Sequence, residues 1–172
     1  GTFLSEKTNE ELSERLAHTE RAVIPGFYGS NPDGTIHTFS RGGSDITGSI
    51  VARAIHADLY GELDPMYPVL VTTRAIVENP VPIETITYKE LRELAYMGAS
   101  VLHEDAIFPV RREGIPINIR NTNKPEDPGT LTSRIPPEAE YTITGIAGKT
   151  GFCSVTIEKA MMNSEIGFGR KV

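Results

Sequence analysis

The chain has 172 residues, with 17 Lys+Arg against 23 Asp+Glu and a net charge of −6 with His neutral. At 38% hydrophobic and 23% charged residues it has a globular composition, and its length suits about one domain of 100–200 residues with a core of its own. No apolar run approaches the ~20 residues that cross a bilayer, the opening residues lack the basic and apolar regions of a signal peptide, and no Lys/Arg cluster alternates with aromatics, so neither a membrane nor nucleic acid is an expected partner. The single Cys153 cannot close an internal disulfide, which points to a reducing, cytoplasmic setting. With no His or basic neighbour, it is expected to be buried as a small apolar side chain.

In chain order, residues 8–18 read as a helix, with Thr8 as cap and Leu12 and Leu16 on one face. Ala22-Val23-Ile24 reads as a strand, Asn31-Pro32-Asp33-Gly34 as a turn and residues 35–39 as a second strand, together a hairpin. Residues 45–57 carry an apolar stripe of Ile46, Ile50, Val51, Ala54 and Ile55, which predicts a helix capped by Ser44 or Asp45. Thr87-Tyr88-Lys89-Glu90 is a capping box opening a helix that Gly98 ends. A helix over 103–112 and a strand over 115–119 follow. Residues 121–138 are rich in turn formers and predict a linker. Beyond it, 142–146 and 154–157 read as strands around Gly148-Lys149-Thr150-Gly151, and a helix starts near Ser164. Alternating helices and strands predict an α/β fold.

The strongest chemical signal is Phe39-Ser40-Arg41-Gly42-Gly43-Ser44-Asp45, between a strand and a helix. Two glycines let the backbone approach a ligand, a helix start presents free N–H groups and a positive dipole to an anion, and Arg41 has the fork that grips a carboxylate or phosphate. A tight strand-to-helix turn in which Asp45 only caps the helix accounts for the same spacing. His18, His37, His56 and His103 are isolated, and no metal-site spacing is present.

Pro25-Gly26-Phe27-Tyr28-Gly29, then Ser40-Arg41-Gly42-Gly43-Ser44-Asp45, then Gly98-Ala99-Ser100-Val101-Leu102-His103 stand in the order and spacing of aspartate kinases, and nearly the whole sequence resembles the bacterial members. The segment beyond the linker, including Thr144-Gly145-Ile146-Ala147 and Gly167-Phe168-Gly169-Arg170-Lys171-Val172, resembles the opening of an ACT regulatory domain. The resemblance implies an amino-acid-kinase α/β/α sandwich over residues 1–130, a linker over 131–138 and the start of an α+β ACT domain over 139–172. The implied activity is transfer of the ATP γ-phosphate, with Mg²⁺, to the side-chain carboxylate of L-aspartate, the first step towards lysine, threonine and methionine. It further implies that Arg41, Gly42, Gly43, Ser44 and Asp45 bind substrate and that Val101 contacts nucleotide. Asn163, Ser164, Gly167 and Phe168 would meet an amino-acid effector, lysine or threonine, and ACT domains would pair two copies. Two other readings stand beside it: a catalytically inactive amino-acid-binding or regulatory remnant, and another amino-acid-kinase relative.

The sequence departs from the resembled pattern in three ways. The upstream phosphate-binding segment with its catalytic Lys is absent from these residues, which implies a chain beginning before Gly1 and no activity from these residues alone. Ser100 stands where a Lys is common. Residues 61–68 and 73–75 replace the nucleotide motif, either as a diverged loop that weakens ATP binding or through a local shift of reading frame, which resequencing the gene across 61–75 decides.

Overall fold

The computed structural model describes residues 6–39, 42–65, 69–70, 77–97, 102–134, 142–148, 150–151, 153–154 and 156–158. Its elements run α1 (Glu6–Leu16), β1 (Tyr28–Ser30), β2 (Ile36–Thr38), α2 (Gly43–Ala54), β3 (Tyr60–Asp64), β4 (Thr85–Thr87), α3 (Tyr88–Tyr96), α4 (Glu104–Glu113), β5 (Ile117–Asn121) and β6 (Thr130–Ser133). A mixed four-stranded sheet has the order β3-β5-β6-β4. β3 and β5 are parallel, as are β4 and β6, while β5 and β6 are antiparallel. α2 meets β3, α3 meets β4 and β6, and α4 lies against α2 and α3, so the expected α/β class holds.

The core is where the periodicities place it. Ile117 and Ile119 alternate inward on β5 and are fully buried, together with Ile86 of β4, Leu91 of α3 and Ile107 and Val110 of α4. α3 begins at the expected capping box: Thr87 Oγ1 accepts from the Glu90 N–H at 3.2 Å while a Glu90 carboxylate oxygen accepts from the Thr87 N–H at 2.9 Å. α4 ends at Gly114, whose φ of 75° is the left-handed cap that glycine supplies. α1 is tied to the body by Glu6, which faces Arg53 at 3.6 Å and Arg112 at 3.8 Å.

Several expectations are corrected. α1 and α2 begin two residues earlier than predicted, so Thr8 lies inside α1 rather than capping it, and the N-cap of α2 is Gly42 rather than Ser44 or Asp45. Residues 22–24 form no strand: Val23 is 99% exposed, and the hairpin is built from β1 and β2, with Tyr28 opposite Thr38. The predicted linker contains β6, an interior strand. The described residues of 142–158 form no strand, because no bridge joins them to another described segment. Cys153 lies in that stretch and is exposed rather than buried, the described residues on either side of it forming no strand. The predicted helix stop at Gly98 and the helix start near Ser164 lie outside the described residues.

Candidate functional site

The turn into α2 is shaped by two aromatic residues and two glycines. The Phe39 N–H donates to the Phe27 carbonyl at 2.8 Å, closing the hairpin base. The Phe27 N–H donates to Thr47 Oγ1 at 3.2 Å, and that hydroxyl donates to the Gly43 carbonyl at 2.8 Å. Phe27 is held at φ 78°, a conformation costly for a bulky side chain and tolerated where surrounding contacts over-determine it. A Cβ on Gly43 would sit 2.5 Å from the Phe39 Cβ and 2.8 Å from the Phe27 ring, so only glycine fits between the two aromatics.

Gly42 is constrained twice. Its φ is 80°, and a Cβ there would lie 2.5 Å from both Cβ and Cγ of His103. His103 is the N-cap of α4, its Nδ1 accepting from the Asp105 N–H at 3.3 Å. The His103 N–H donates to Asp45 Oδ2 at 3.3 Å. Asp45 therefore does not cap its own helix. Its carboxylate lies in the first turn of α2 and at the start of α4, where the positive ends of both helices favour an anion.

β3 approaches the same turn. The buried Tyr60 hydroxyl donates to Glu62 Oε2 at 2.6 Å and lies 3.1 Å from the Asp45 carbonyl oxygen, and its ring packs so close to α2 that a Cβ on Gly48 would meet it at 2.9 Å. Burial, then the Glu62 hydrogen bond and charge, push the Tyr60 hydroxyl far up, so it stays protonated. Burial also raises Glu62, with the charges of Asp45 and Asp64 adding to it and the Tyr60 hydroxyl opposing. Among the described residues no group of three His, Cys, Asp or Glu could hold a metal ion.

Of the sequence-predicted residues, Gly42, Gly43, Ser44 and Asp45 come together at this turn. Arg41, Val101, Asn163, Ser164, Gly167 and Phe168 lie outside the described residues. Tyr60 joins the site without a local signal, and Phe27 and His103, which stand in two of the quoted motifs, join it in roles the sequence did not assign: His103 is 58 positions from its partner Asp45, and Tyr60 is 15. What the arrangement offers is a glycine-lined turn whose N-cap has no side chain, opening onto helix N–H groups suited to an anion.

Residues 3–121 match the sequence model of the amino acid kinase family. Over 149 residues the chain is 48% identical to Aspartokinase 3 of Bacillus subtilis, covering 87% of this chain and 33% of that protein. The crystal structure of Clostridium acetobutylicum aspartate kinase is similar with a TM-score of 0.81 and 52% identity, over 99% of this chain and 40% of that one. That of E. coli aspartokinase III in complex with aspartate and ADP is similar with a TM-score of 0.61 and 32% identity, over 66% of this chain and 25% of that one. The chain thus spans less than half the length of each of these relatives. The chain belongs to the amino acid kinase family.

Proposed function

We propose that the protein is an aspartate kinase, to which this chain contributes the turn that grips L-aspartate. The observation that carries the reading is the turn itself: Gly42 at φ 80° and Gly43 wedged between aromatics start α2 with no side chain capping its N–H groups, in a chain 52% identical to an aspartate kinase over 99% of its length. In the proposed reaction an oxygen of the aspartate side-chain carboxylate forms a bond to the γ-phosphorus of ATP, the bond to the bridging oxygen breaks and ADP leaves. Such transfers depend on positioning and charge neutralisation. Arg41 forks onto a carboxylate of the substrate, Gly42, Gly43 and Ser44 present the turn, and Asp45 fixes its place. Val101 borders the nucleotide. Mg²⁺ would travel with the ATP phosphates, neutralising their charge.

The wider reading follows the same line. The kinase domain would run through β6, which carries the sheet as far as Ser133, so that any linker lies beyond that strand, and 139–172 would be the start of an ACT domain. Asn163, Ser164, Gly167 and Phe168 would meet lysine or threonine as effector, ACT domains would pair two copies, and the enzyme would work in the cytoplasm at the head of lysine, threonine and methionine synthesis. E. coli aspartokinase III has also been crystallised with lysine and aspartate, which supports an amino-acid effector. The test is an aspartate-dependent ATP consumption assay, with hydroxylamine trapping of the acyl phosphate, on the complete gene product. Turnover that requires both L-aspartate and ATP is expected. Aspartate binding without turnover would overturn the kinase reading and leave a binding remnant, and turnover on a different carboxylate or on carbamate would reassign the substrate.

A further inference from the structure

We propose that His103 is a positioning residue for aspartate, acting through the Gly42–Asp45 turn; the role rests on the aspartate kinase reading. Three of the contacts that His103 makes have separable purposes. Its Nδ1 accepts from the Asp105 N–H and caps α4, a task that serves α4 alone. Its side chain lies over Gly42, with Cβ and Cγ each 2.5 Å and Cδ2 2.6 Å from where a Cβ on Gly42 would stand. Its backbone N–H holds Asp45 Oδ2 at 3.3 Å. The second and third contacts reach across 58 positions of sequence and serve the turn.

Among the described residues, the three atoms nearest a Cβ on Gly42 all belong to His103. Gly42 sits in a conformation that glycine adopts without penalty and therefore leaves easily. The His103 side chain blocks the space into which that residue would otherwise relax, while its N–H holds the first turn of α2 against the start of α4. His103 is about one-third exposed, with 29% of its side-chain surface open, so its neighbours do not demand it as a core residue. Small displacements of a binding turn are expensive for a reaction that depends on alignment.

Three variants of the complete gene product separate the purposes. His103→Ser keeps the cap, since Ser is a preferred N-cap residue, and keeps the backbone N–H, but removes the imidazole ring, Cδ2 included, from above Gly42 and leaves a single hydroxyl oxygen in the place of Cγ. It is expected to retain the wild-type melting temperature and the KM for ATP while the KM for aspartate rises about tenfold or more. His103→Ala shows the same rise in KM together with a lower melting temperature. His103→Asn, which restores a Cγ and a planar group over Gly42, recovers most of the aspartate affinity. An aspartate KM in His103→Ser equal to that of the wild type, or a parallel rise in the KM for ATP, overturns the positioning role and leaves a cap. A wild-type protein without aspartate-dependent turnover removes the kinase reading and this role together, whereas normal wild-type turnover with an unaffected His103→Ser removes the role alone.

Discussion

Gly42 and Gly34 share a backbone conformation, at φ 80° and 83°, but differ in surroundings: a Cβ on Gly42 would strike His103, whereas a Cβ on Gly34 would meet nothing within 4 Å. Gly34→Ala should therefore bear only the left-handed backbone penalty, about 1–2 kcal/mol. Gly42→Ala adds a clash with Cβ and Cγ, atoms too close to the backbone to swing aside, and should lose clearly more, with about 3 kcal/mol in total. Urea denaturation of the two variants checks the difference, and equal losses would show that His103 yields easily. The pair of glycines was legible in the sequence as the mark of a tight turn into a helix, with anion binding as one use of it. Why Gly42 is irreplaceable was not, because its neighbour His103 is carried in by another helix, and Asp45, legible as a cap, turns out to accept from that helix's first amide.

At the scale of elements, α3 and its cap could be read directly, since Thr87 and Glu90 stand three apart and a local interaction leaves a local pattern. β6 could not. Thr130 and Thr132 are 1% exposed, yet Thr-Leu-Thr-Ser among prolines and glycines reads as linker. The strand is stable in the interior because neighbouring backbones satisfy its hydroxyls: Thr130 Oγ1 donates to the Ile83 carbonyl, and Thr132 Oγ1 accepts from the Ile117 N–H at 2.6 Å. The capping box has a second use. Thr144 Oγ1 donates to the other Glu90 oxygen at 2.6 Å, and Ala147 packs on the core, so the stretch beyond β6 is fastened to the start of α3. Thr87→Ala is expected to cost about 1 kcal/mol of global stability. Thr144→Val leaves the box intact and should instead raise amide exchange within 142–148 while α3 stays protected. Faster exchange in α3 as well would mean that the segment supports the helix rather than merely resting on it.

For the whole molecule, two half-buried carboxylates set opposite pH dependences. Burial raises Glu62 above the ordinary 4.5, helped by Asp45 and Asp64. Below 4.5 it is neutral whether folded or unfolded and has no effect. As the pH climbs from there, the unfolded chain releases the proton first, the folded chain binds more protons, and stability falls until the folded value is passed. Glu90 runs the other way. Burial pushes it up, but hydrogen bonds from Thr144 and from the Thr87 side chain and amide outweigh that and hold it below 4.5. Its contribution is present above 4.5 and disappears as the pH falls through the folded value. Glu62→Gln keeps an acceptor for Tyr60 while removing the buried charge, so it should melt higher than wild type at pH 7, with the advantage shrinking in acid. Glu90→Gln keeps the box but loses the charge at the α3 N-terminus, and should be less stable at pH 7 by about 0.3–1 kcal/mol, a deficit that also closes in acid. Melting curves of the three proteins from pH 3 to pH 8 should show the variants on opposite sides of wild type at neutrality and converging on it at low pH. If Glu62→Gln melts below wild type at pH 7, the Tyr60–Glu62 pair stabilises the sheet edge through its charge, and the penalty assigned to burial is wrong in sign.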